Sequence, residues 1–297
     1  MIDKLQFLLA LARERHFGRA AQTCGVTQPS LSGGIKQLEE MLGVLLVNRG
    51  SRFQNFTPEG ERILDWARRI VGDASAMRQE MRSLKKGLTG HLRIAAVPPS
   101  HAVVVQLTAP YRARYPDVAI TVLSRSSGQI PALIENLEID AGITYADSEI
   151  DGVLRSVPLY REQHRLLVSK SSPLAGREQV TWSEVGRVPL CLLTPDTQNR
   201  HLIDSRLRAA GCEPAPMLTS DSMVVLFSHV RSGHWGSVMP SRLVDALGRA
   251  NEVQVLPIVD EEPEPTIALV VPKREPLPSL TAALVTEARR LANDLNP

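Results

Sequence analysis

The feature that most constrains the fold is the stretch at residues 17–46, FGRAAQTCGVTQPSLSGGIKQLEEMLGVLL, which predicts two short helices around a tight turn. Gly25 breaks the first helix, and Thr27 is a good N-cap for a second helix that carries Pro29 in its first turn. The apolar residues of this second helix recur at the spacing of one buried stripe: Leu31, Ile35, Leu38 and Leu42. Taken alone, the hairpin fits an ordinary amphipathic pair equally well.

The opposite face of the second helix carries small or polar side chains, which suit a helix laid in the major groove of DNA. Two adjacent glycines on this helix, Gly33 and Gly34, are unusual, because each costs about 1 kcal/mol relative to alanine inside a helix. Either the backbone comes close to DNA at that point, or base readout is weaker there. The residues that we expect to contact DNA are Arg19, Thr27, Gln28, Pro29, Ser30, Ser32, Gly33, Lys36 and Gln37.

The neighbouring segments favour DNA binding over the ordinary hairpin. Residues 2–15 predict a third helix that closes a small core, and residues 48–54 read as an exposed polar hairpin before a new helix opens at Thr57. Arg49 and Arg52 lie on that hairpin, where phosphates or the minor groove would be met. The first 90 residues carry 14 Lys and Arg against 9 Asp and Glu, although the whole chain has a net charge of only +2. The basic excess therefore lies in the N-terminal third.

A heptad pattern follows at residues 59–88. Its apolar positions alternate at spacings of four and three: Ile63, Ala67, Ile70, Ala74, Met77, Met81, Leu84 and Leu88. A single helix cannot bury such a stripe, so it packs either against the chain's own second domain or, as we favour, against a helix of another subunit. A dimer would present two recognition helices to a two-fold symmetric DNA site. The run KKGLTG at residues 85–90 predicts a hinge.

Beyond residue 90, short apolar strand candidates alternate with helical stretches, which indicates α/β layers with largely parallel sheets. About 200 residues would be large for one simple layer, so we predict two subdomains with a cleft between them. Three predicted strands run into polar loops before helices, and convergence of these loops would favour a small anion. For each hydroxyl taken singly, N-capping is the alternative. The candidate effector-binding residues are Ser100, His101, Arg125, Ser126, Ser127, Tyr145, Gln198, Asn199, Arg200, Met223 and Trp235.

The motif AAQTCGVTQPSLSGGIKQLEEMLGVLLVNR followed by FTPEG resembles the winged helix-turn-helix of LysR-type transcriptional regulators. The resemblance implies a bacterial transcription factor with a recognition helix at 27–37, a wing at 48–56 and a linker helix that dimerises antiparallel. It also implies binding to promoter DNA as a homodimer or homotetramer, and contact with RNA polymerase. Ser100, Ser127, Gln198 and Asn199 fall where the family's effector contacts lie. Many family members carry a larger residue at the position of Gly33.

The same resemblance implies an effector domain of two Rossmann-like subdomains, similar to periplasmic binding proteins. We expect a DNA-binding domain at 1–58, a linker helix at 59–89 and an effector domain at 90–297. Subdomain I would comprise 90–161 and 266–297, and subdomain II would comprise 162–265, with the chain crossing near Arg161 and returning near Thr266. The opening residues and SGHWGSVMP also resemble regulators encoded near formate dehydrogenase genes, so formate is one candidate effector.

The cysteines, Cys24, Cys191 and Cys212, are scattered and show no metal-ligand spacing, so we expect neither a metal nor a cofactor. A redox-responsive regulator that pairs Cys191 with Cys212 is an alternative, although Cys191 lies in an apolar strand. Another alternative is an α/β enzyme fused to a DNA-binding module, but GxSxG, Walker and post-strand GxGxxG motifs are missing. An architectural DNA-binding protein would leave the C-terminal two-thirds unexplained. Without a signal sequence or a long apolar run, the chain is expected to be cytoplasmic.

Overall fold

The computed structural model describes residues 1–49, 53–146, 154–248, 251–259 and 264–295. They form two compact units, which we describe separately. Unit 1 contains Met1–Thr89 with two short segments, Glu135–Glu138 and Pro276–Ser279, and unit 2 contains the remainder. Within the described residues, no helix combines the length and hydropathy needed to span a membrane.

Unit 1 is a three-helix core followed by a hairpin and a long helix. In chain order its elements are α1 (Ile2–Glu14), α2 (Phe17–Thr23), α3 (Gln28–Leu42), β1 (Val47–Arg49), β2 (Phe53–Phe56) and α4 (Pro58–Lys86). Thr27 caps α3, its hydroxyl accepting from the Ser30 N–H at 3.4 Å, and Gly43 ends the helix in the left-handed region with φ 70°. Leu31, Ile35 and Leu38 are fully buried, as the predicted stripe requires, but its fourth member, Leu42, is 40% exposed at the end of the helix.

Two buried polar side chains connect the helices of unit 1 to the β1–β2 hairpin. The Glu39 carboxylate accepts from the backbone N–H groups of Leu46 and Val47, at 3.0 and 3.2 Å. Thr57 caps α4 by accepting from Gly60 N–H at 2.9 Å and donates to the Leu45 carbonyl at 2.6 Å. A Cβ atom at Gly60 would clash with the backbone carbonyl of Leu46. The TPEG sequence therefore allows α4 to begin directly against Leu46, the residue that precedes β1.

The heptad helix α4 divides into two halves. In the first half, Ala67 of the stripe is buried in the core of unit 1, Ile63 and Ile70 pack partly buried against that core, and Leu64 and Val71 beside the stripe are buried in it. In the second half, Met77, Met81 and Leu84 are 59%, 49% and 76% exposed. The chain's own DNA-binding core thus covers the first half of the stripe, which the sequence did not predict. The second half of the stripe is uncovered in the single chain.

Unit 2 contains two α/β layers. Its strands are β3 (Gly90–Ala96), β4 (Val118–Ser124), β5 (Ala141–Tyr145), β6 (Leu154–Arg161), β7 (His164–Ser169), β8 (Cys191–Leu193), β9 (Leu218–Ser220), β10 (Ser237–Pro240), β11 (Val253–Pro257) and β12 (Thr266–Pro272). Its helices are α5 (His101–Arg114), α6 (Ile130–Glu135), α7 (Trp182–Val185), α8 (Gln198–Ala209), α9 (Met223–Arg231), α10 (Ser241–Leu247) and α11 (Ser279–Leu295).

The sheets are mixed, so the expectation of largely parallel sheets was wrong in part. One sheet has the order β4-β3-β5-β12-β6, with β3 parallel to β4 and β5, whereas β12 runs antiparallel to β5 and β6. The sheet β10-β7-β11 is antiparallel throughout, and β8 and β9 form a parallel pair. We call the five-stranded sheet one layer of unit 2, and the group of strands β7 to β11 the other layer. The direction of β12 is reversed because the chain leaves the five-stranded sheet after β6 and re-enters it with β12 running the other way. At the crossing, Arg161 pairs with Thr266, and Glu162 N–H donates to the Pro265 carbonyl at 2.8 Å.

Candidate functional site

The predicted DNA-contacting face of α3 is open to solvent. Ser32 is half-buried, and its neighbours on this face are exposed: Thr27, Gln28, Pro29, Ser30, Gly33, Lys36 and Gln37. Lys36 forms a loose i,i+4 ion pair with Glu40 at 3.8 Å, with both side chains more than 60% exposed. Such a pair contributes little, so the ammonium group is available to phosphate.

Arg19 and the wing arginines differ in what the structure shows of them. Arg19 is exposed on α2, and its guanidinium donates to the Glu14 carbonyl at 2.7 Å, which holds it at the end of α1. Arg49 ends β1, and an Asn48–Asn55 side-chain hydrogen bond of 2.8 Å joins the two strands. Arg52 lies outside the described residues. The assignment of these arginines to DNA remains a prediction.

The two glycines of α3 have different environments. At Gly34, an added Cβ would lie 2.7 Å from a carbon of the Phe7 ring, so the close approach of α1 requires glycine there. At Gly33, which is exposed, an added Cβ would meet nothing within 4 Å. The packing of α1 against α3 thus explains why residue 34 is glycine. It does not explain Gly33, which lies on the predicted DNA-contacting face.

This difference predicts opposite effects for two identical substitutions. Gly33→Ala should stabilise the protein by up to about 1 kcal/mol, because alanine is the better helix former. Gly34→Ala should destabilise it by about 1–3 kcal/mol, because its methyl group overpacks the Phe7 ring. Urea unfolding of the two variants measures both effects, and a destabilised Gly33→Ala would contradict the prediction. If Gly33→Ala also weakens DNA binding in a gel-shift assay, the backbone at this position approaches the DNA.

In unit 2, three candidate loops lie at one edge of the five-stranded sheet, because β4, β3 and β5 are adjacent and parallel. Ser100 ends the loop after β3 and is fully buried, donating to the Val97 carbonyl at 2.9 Å. Arg125 begins the loop after β4, and its N–H donates to the Ala96 carbonyl at 3.1 Å. Tyr145 is the last residue of β5.

The candidates in these loops differ in what their side chains already bind. Ser126 forms a capping box with Gln129, so the N-capping alternative holds for it. The Ser127 hydroxyl oxygen is buried and has no hydrogen-bond partner among the described residues. His101 is exposed at the start of α5, but partial burial of its ring lowers its pKa and the backbone of Ala96 accepts a hydrogen bond from it. Of this set, the Ser127 hydroxyl is therefore the group left without a partner among the described residues.

The amino end of α8 meets this edge where Asn199 Nδ2 lies 3.2 Å from the Tyr145 hydroxyl. Gln198 is half-buried beside Asn199 at the start of α8. The structure therefore brings together candidates from both α/β layers.

Three other candidates are engaged within the fold. Arg200 is 7% exposed, with its guanidinium 2.7 Å from the Asp204 carboxylate and 3.0 Å from the Leu193 carbonyl. Met223 is 5% exposed in a hydrophobic cluster, and Trp235 packs against the same cluster. In this structure the side chains of Arg200 and Met223 are therefore buried and not accessible to a ligand.

Tyr145 and Asn199 belong to a buried group of polar residues whose other members were not predicted. The Tyr145 hydroxyl donates to Glu162 Oε1 at 2.6 Å, and Asn199 Nδ2 lies 2.9 Å from His164 Nε2. Arg206 Nη1 lies 3.2 Å from His164 Nδ1. In the sequence, REQH at residues 161–164 has the composition of an exposed polar turn, so the burial of Glu162 and His164 could not be predicted from it.

The cysteines give no pairing. All three are free, and Cys191 and Cys212 pack in different hydrophobic clusters. Leu192 of β8 lies in the Cys212 cluster, whereas Cys191 lies in the other, so the two thiols belong to opposite faces of this strand. Burial raises the pKa of the Cys191 thiol to about 11, which suppresses the reactive thiolate. In this structure Cys191 and Cys212 are therefore held apart, and the redox-responsive alternative stays a prediction.

Comparison with known proteins agrees with this architecture. The model of "Bacterial regulatory helix-turn-helix protein, lysR family" matches residues 2–61, and that of "LysR substrate binding domain" matches residues 85–293. The chain therefore belongs to the LysR family, and it is a DNA-binding transcriptional regulator.

Similar proteins include regulators of known name. The hydrogen peroxide-inducible genes activator of Haemophilus influenzae is 28% identical over 93% of this chain and 92% of its own length. OxyR of Escherichia coli K12 is 28% identical over 94% of this chain and 91% of its own.

Solved structures share the fold. A cysteine variant of full-length OxyR from Pseudomonas aeruginosa superposes with a TM-score of 0.76 at 25% identity, covering 97% of both chains. CbnR in complex with its target DNA superposes with a TM-score of 0.64 at 20% identity, covering 98% of this chain and 99% of CbnR.

Proposed function

We propose that this LysR-type regulator binds a partly palindromic promoter site as a dimer or a dimer of dimers, and that a small anionic metabolite modulates that binding. The metabolite would bind between the two α/β layers of unit 2. Through α4, its binding would alter the spacing of the recognition helices and the contact with RNA polymerase. The chain would act in the cytoplasm and catalyse no reaction.

The observation that carries the proposal is the 3.2 Å contact between Asn199 and Tyr145. It joins the amino end of α8, in one layer, to the carboxyl end of β5, in the other. The loops after β3 and β4 reach the same edge as β5. Amino ends of helices and unpaired polar groups, such as the Ser127 hydroxyl, are suited to a small anion.

Screening the full-length protein by thermal shift would test for a ligand. Small carboxylates, formate among them, are the first class to screen, followed by amino acids and inorganic anions. A ligand at 100 times its Kd should stabilise the native state by about 2.7 kcal/mol and raise the melting temperature accordingly. If no anion in the panel shifts the melting temperature or changes DNA binding, the proposal fails.

The substitution Ser127→Ala should separate ligand binding from folding. Because the Ser127 oxygen has no partner within the part of the chain that the structure describes, its removal should leave stability unchanged. Loss of a hydrogen bond to an anion should weaken binding by about 10-fold to 100-fold, and isothermal titration would measure this loss. Thr286→Ala, at an exposed position on α11, is the control. Unchanged affinity in Ser127→Ala would exclude its hydroxyl from the site.

A further inference from the structure

The junction between the two layers of unit 2 contains a buried polar group, which we call the junction cluster: Tyr145, Glu162, His164, Asn199 and Arg206. The side chains of Glu162 and His164 are each 1% exposed. Tyr145 ends β5 in the five-stranded sheet, whereas Asn199 and Arg206 lie on α8 and His164 begins β7. Glu162 lies in the crossing segment between β6 and β7. The cluster therefore connects both layers at the point where the chain passes between them.

The hydrogen bonds of the cluster define the protonation of His164. Two donors face the imidazole: Arg206 Nη1 lies 3.2 Å from His164 Nδ1, and Asn199 Nδ2 lies 2.9 Å from His164 Nε2. Because donors approach both ring nitrogens, the ring cannot hold protons on both of them. Burial, with the positive charge of Arg206, lowers the pKa of His164 to about 3. His164 is therefore neutral at physiological pH, and its contact with Glu162 is not an ion pair.

Glu162 is the member of the cluster that can titrate near neutral pH. Burial raises the pKa of its carboxyl group to about 7, against the opposing effects of the Tyr145 hydrogen bond and Arg206. Its Oε2 atom is buried and forms no hydrogen bond of good geometry with the described residues, although the Tyr160 hydroxyl is close enough to lower the pKa of the carboxyl group. The ionisable groups that surround it are Tyr145, Tyr160, His164 and Arg206, with Arg242 stacked over the Tyr160 ring at 4.8 Å.

A cavity adjoins the cluster and offers a route for water. Its volume is about 380 Å³, and Glu162, His164 and Arg206 line it together with Arg165 and Glu264. A buried carboxylate with an unpartnered oxygen is costly unless water or another donor reaches it. Ionised Glu162 would draw water from this cavity into the junction, whereas the neutral carboxyl group would leave the junction closed.

We propose that the junction cluster is a proton-operated latch between the two layers, which neutral Glu162 keeps closed and ionised Glu162 loosens. This property goes beyond effector binding and does not depend on which anion the cleft takes. It makes the geometry of the regulatory domain responsive to pH in the range where cells operate.

The sign of the effect follows from the two shifts. For Glu162, whose folded pKa is raised from 4.5 to about 7, the stabilisation is full below 4.5 and is lost as the pH rises through 7. For His164, whose folded pKa is lowered from 6.5 to about 3, stability is lost as the pH falls below 6.5. Between pH 4.5 and 6.5 the two effects cancel, because folded and unfolded states hold the same number of protons on the pair.

Hydrogen exchange of the full-length protein tests the latch, with β6 and β7 (residues 154–169) as the reporting segment. Between about pH 6 and about pH 8, the effect of Glu162 alone raises local opening of this segment about tenfold, and the loss of the proton that His164 binds in the opened segment offsets about fourfold of it. After correction for the intrinsic exchange rate, local opening should therefore increase about two- to threefold in the wild type. Glu162→Gln, which mimics the neutral carboxyl group, should abolish this increase. Glu264→Gln, a carboxylate of the same cavity, is the control and should behave as the wild type.

Two results would overturn the latch: opening that does not change with pH in the wild type, or the same pH dependence in Glu162→Gln. If Glu162→Gln does not fold, infrared spectroscopy of the wild type decides. A protonated-carboxyl band that is lost around pH 7 supports the latch, and the absence of such a band below that pH refutes it.

Discussion

Replacing Met81 and Leu84 together with aspartate will convert the protein to a monomer and remove high-affinity operator binding. Both side chains are exposed on the second half of α4 in the single chain. Burying each against a partner helix contributes about 1.5–3 kcal/mol, and two carboxylates in the seam would add a desolvation cost. The dissociation constant of the dimer should rise at least about 1000-fold. Sedimentation velocity measures the oligomeric state, and a gel shift measures DNA binding.

The control for this change places the same two charges away from the seam. Gln79→Asp with Ser83→Asp lies on the same turns of α4, outside the apolar heptad positions. This variant should remain oligomeric and bind DNA. A dimer that survives Met81→Asp with Leu84→Asp would show that subunits associate through another surface.

The second large effect is expected at Gly60. In an open helix, Gly→Ala stabilises by up to about 1 kcal/mol, but here the methyl group would strike the Leu46 carbonyl, which belongs to the backbone and cannot rotate away. Gly60→Ala should therefore destabilise unit 1 by about 2–4 kcal/mol and reduce DNA binding with it. Differential scanning calorimetry should show the transition of unit 1 moving to lower temperature.

Glu61→Ala, at the next and exposed position of α4, is the matched control and should change stability by less than about 1 kcal/mol. An unchanged or raised melting temperature in Gly60→Ala would mean that α4 can begin without the close approach to Leu46.

The elements of unit 1 were predictable because their signals are local. Thr27 with Pro29 marks the start of α3, and the stripe of Leu31, Ile35 and Leu38 marks its buried face. The heptad of α4 was also visible, but sequence could not show that Leu64 and Val71 turn towards the DNA-binding core, since that depends on where α1 packs. Gly33 and Gly34 look alike in sequence, and the position of Phe7 alone distinguishes them.

In unit 2, strands with a polar or broken pattern were missed. Strand β6 contains Arg155, Ser156 and Pro158, so it lacks a continuous apolar run. Among the described strands it pairs only with β12, more than 100 residues further along the chain. Long-range pairing of this kind leaves no periodic trace. The junction cluster was not predicted for the same reason, because it also depends on contacts between distant parts of the chain. Glu162 and His164 lie in a sequence typical of a solvated turn, but in the fold they are buried beside α8.

The pairing of Arg161 with Thr266 has a topological consequence. The chain leaves the five-stranded sheet and re-enters it at neighbouring points, so the segment between them is an insertion whose two ends meet. An insertion of this kind can be exchanged for another without cutting the host sheet. Family members could thus acquire a new sensing half by recombination while keeping the same DNA reader, linker helix and host layer.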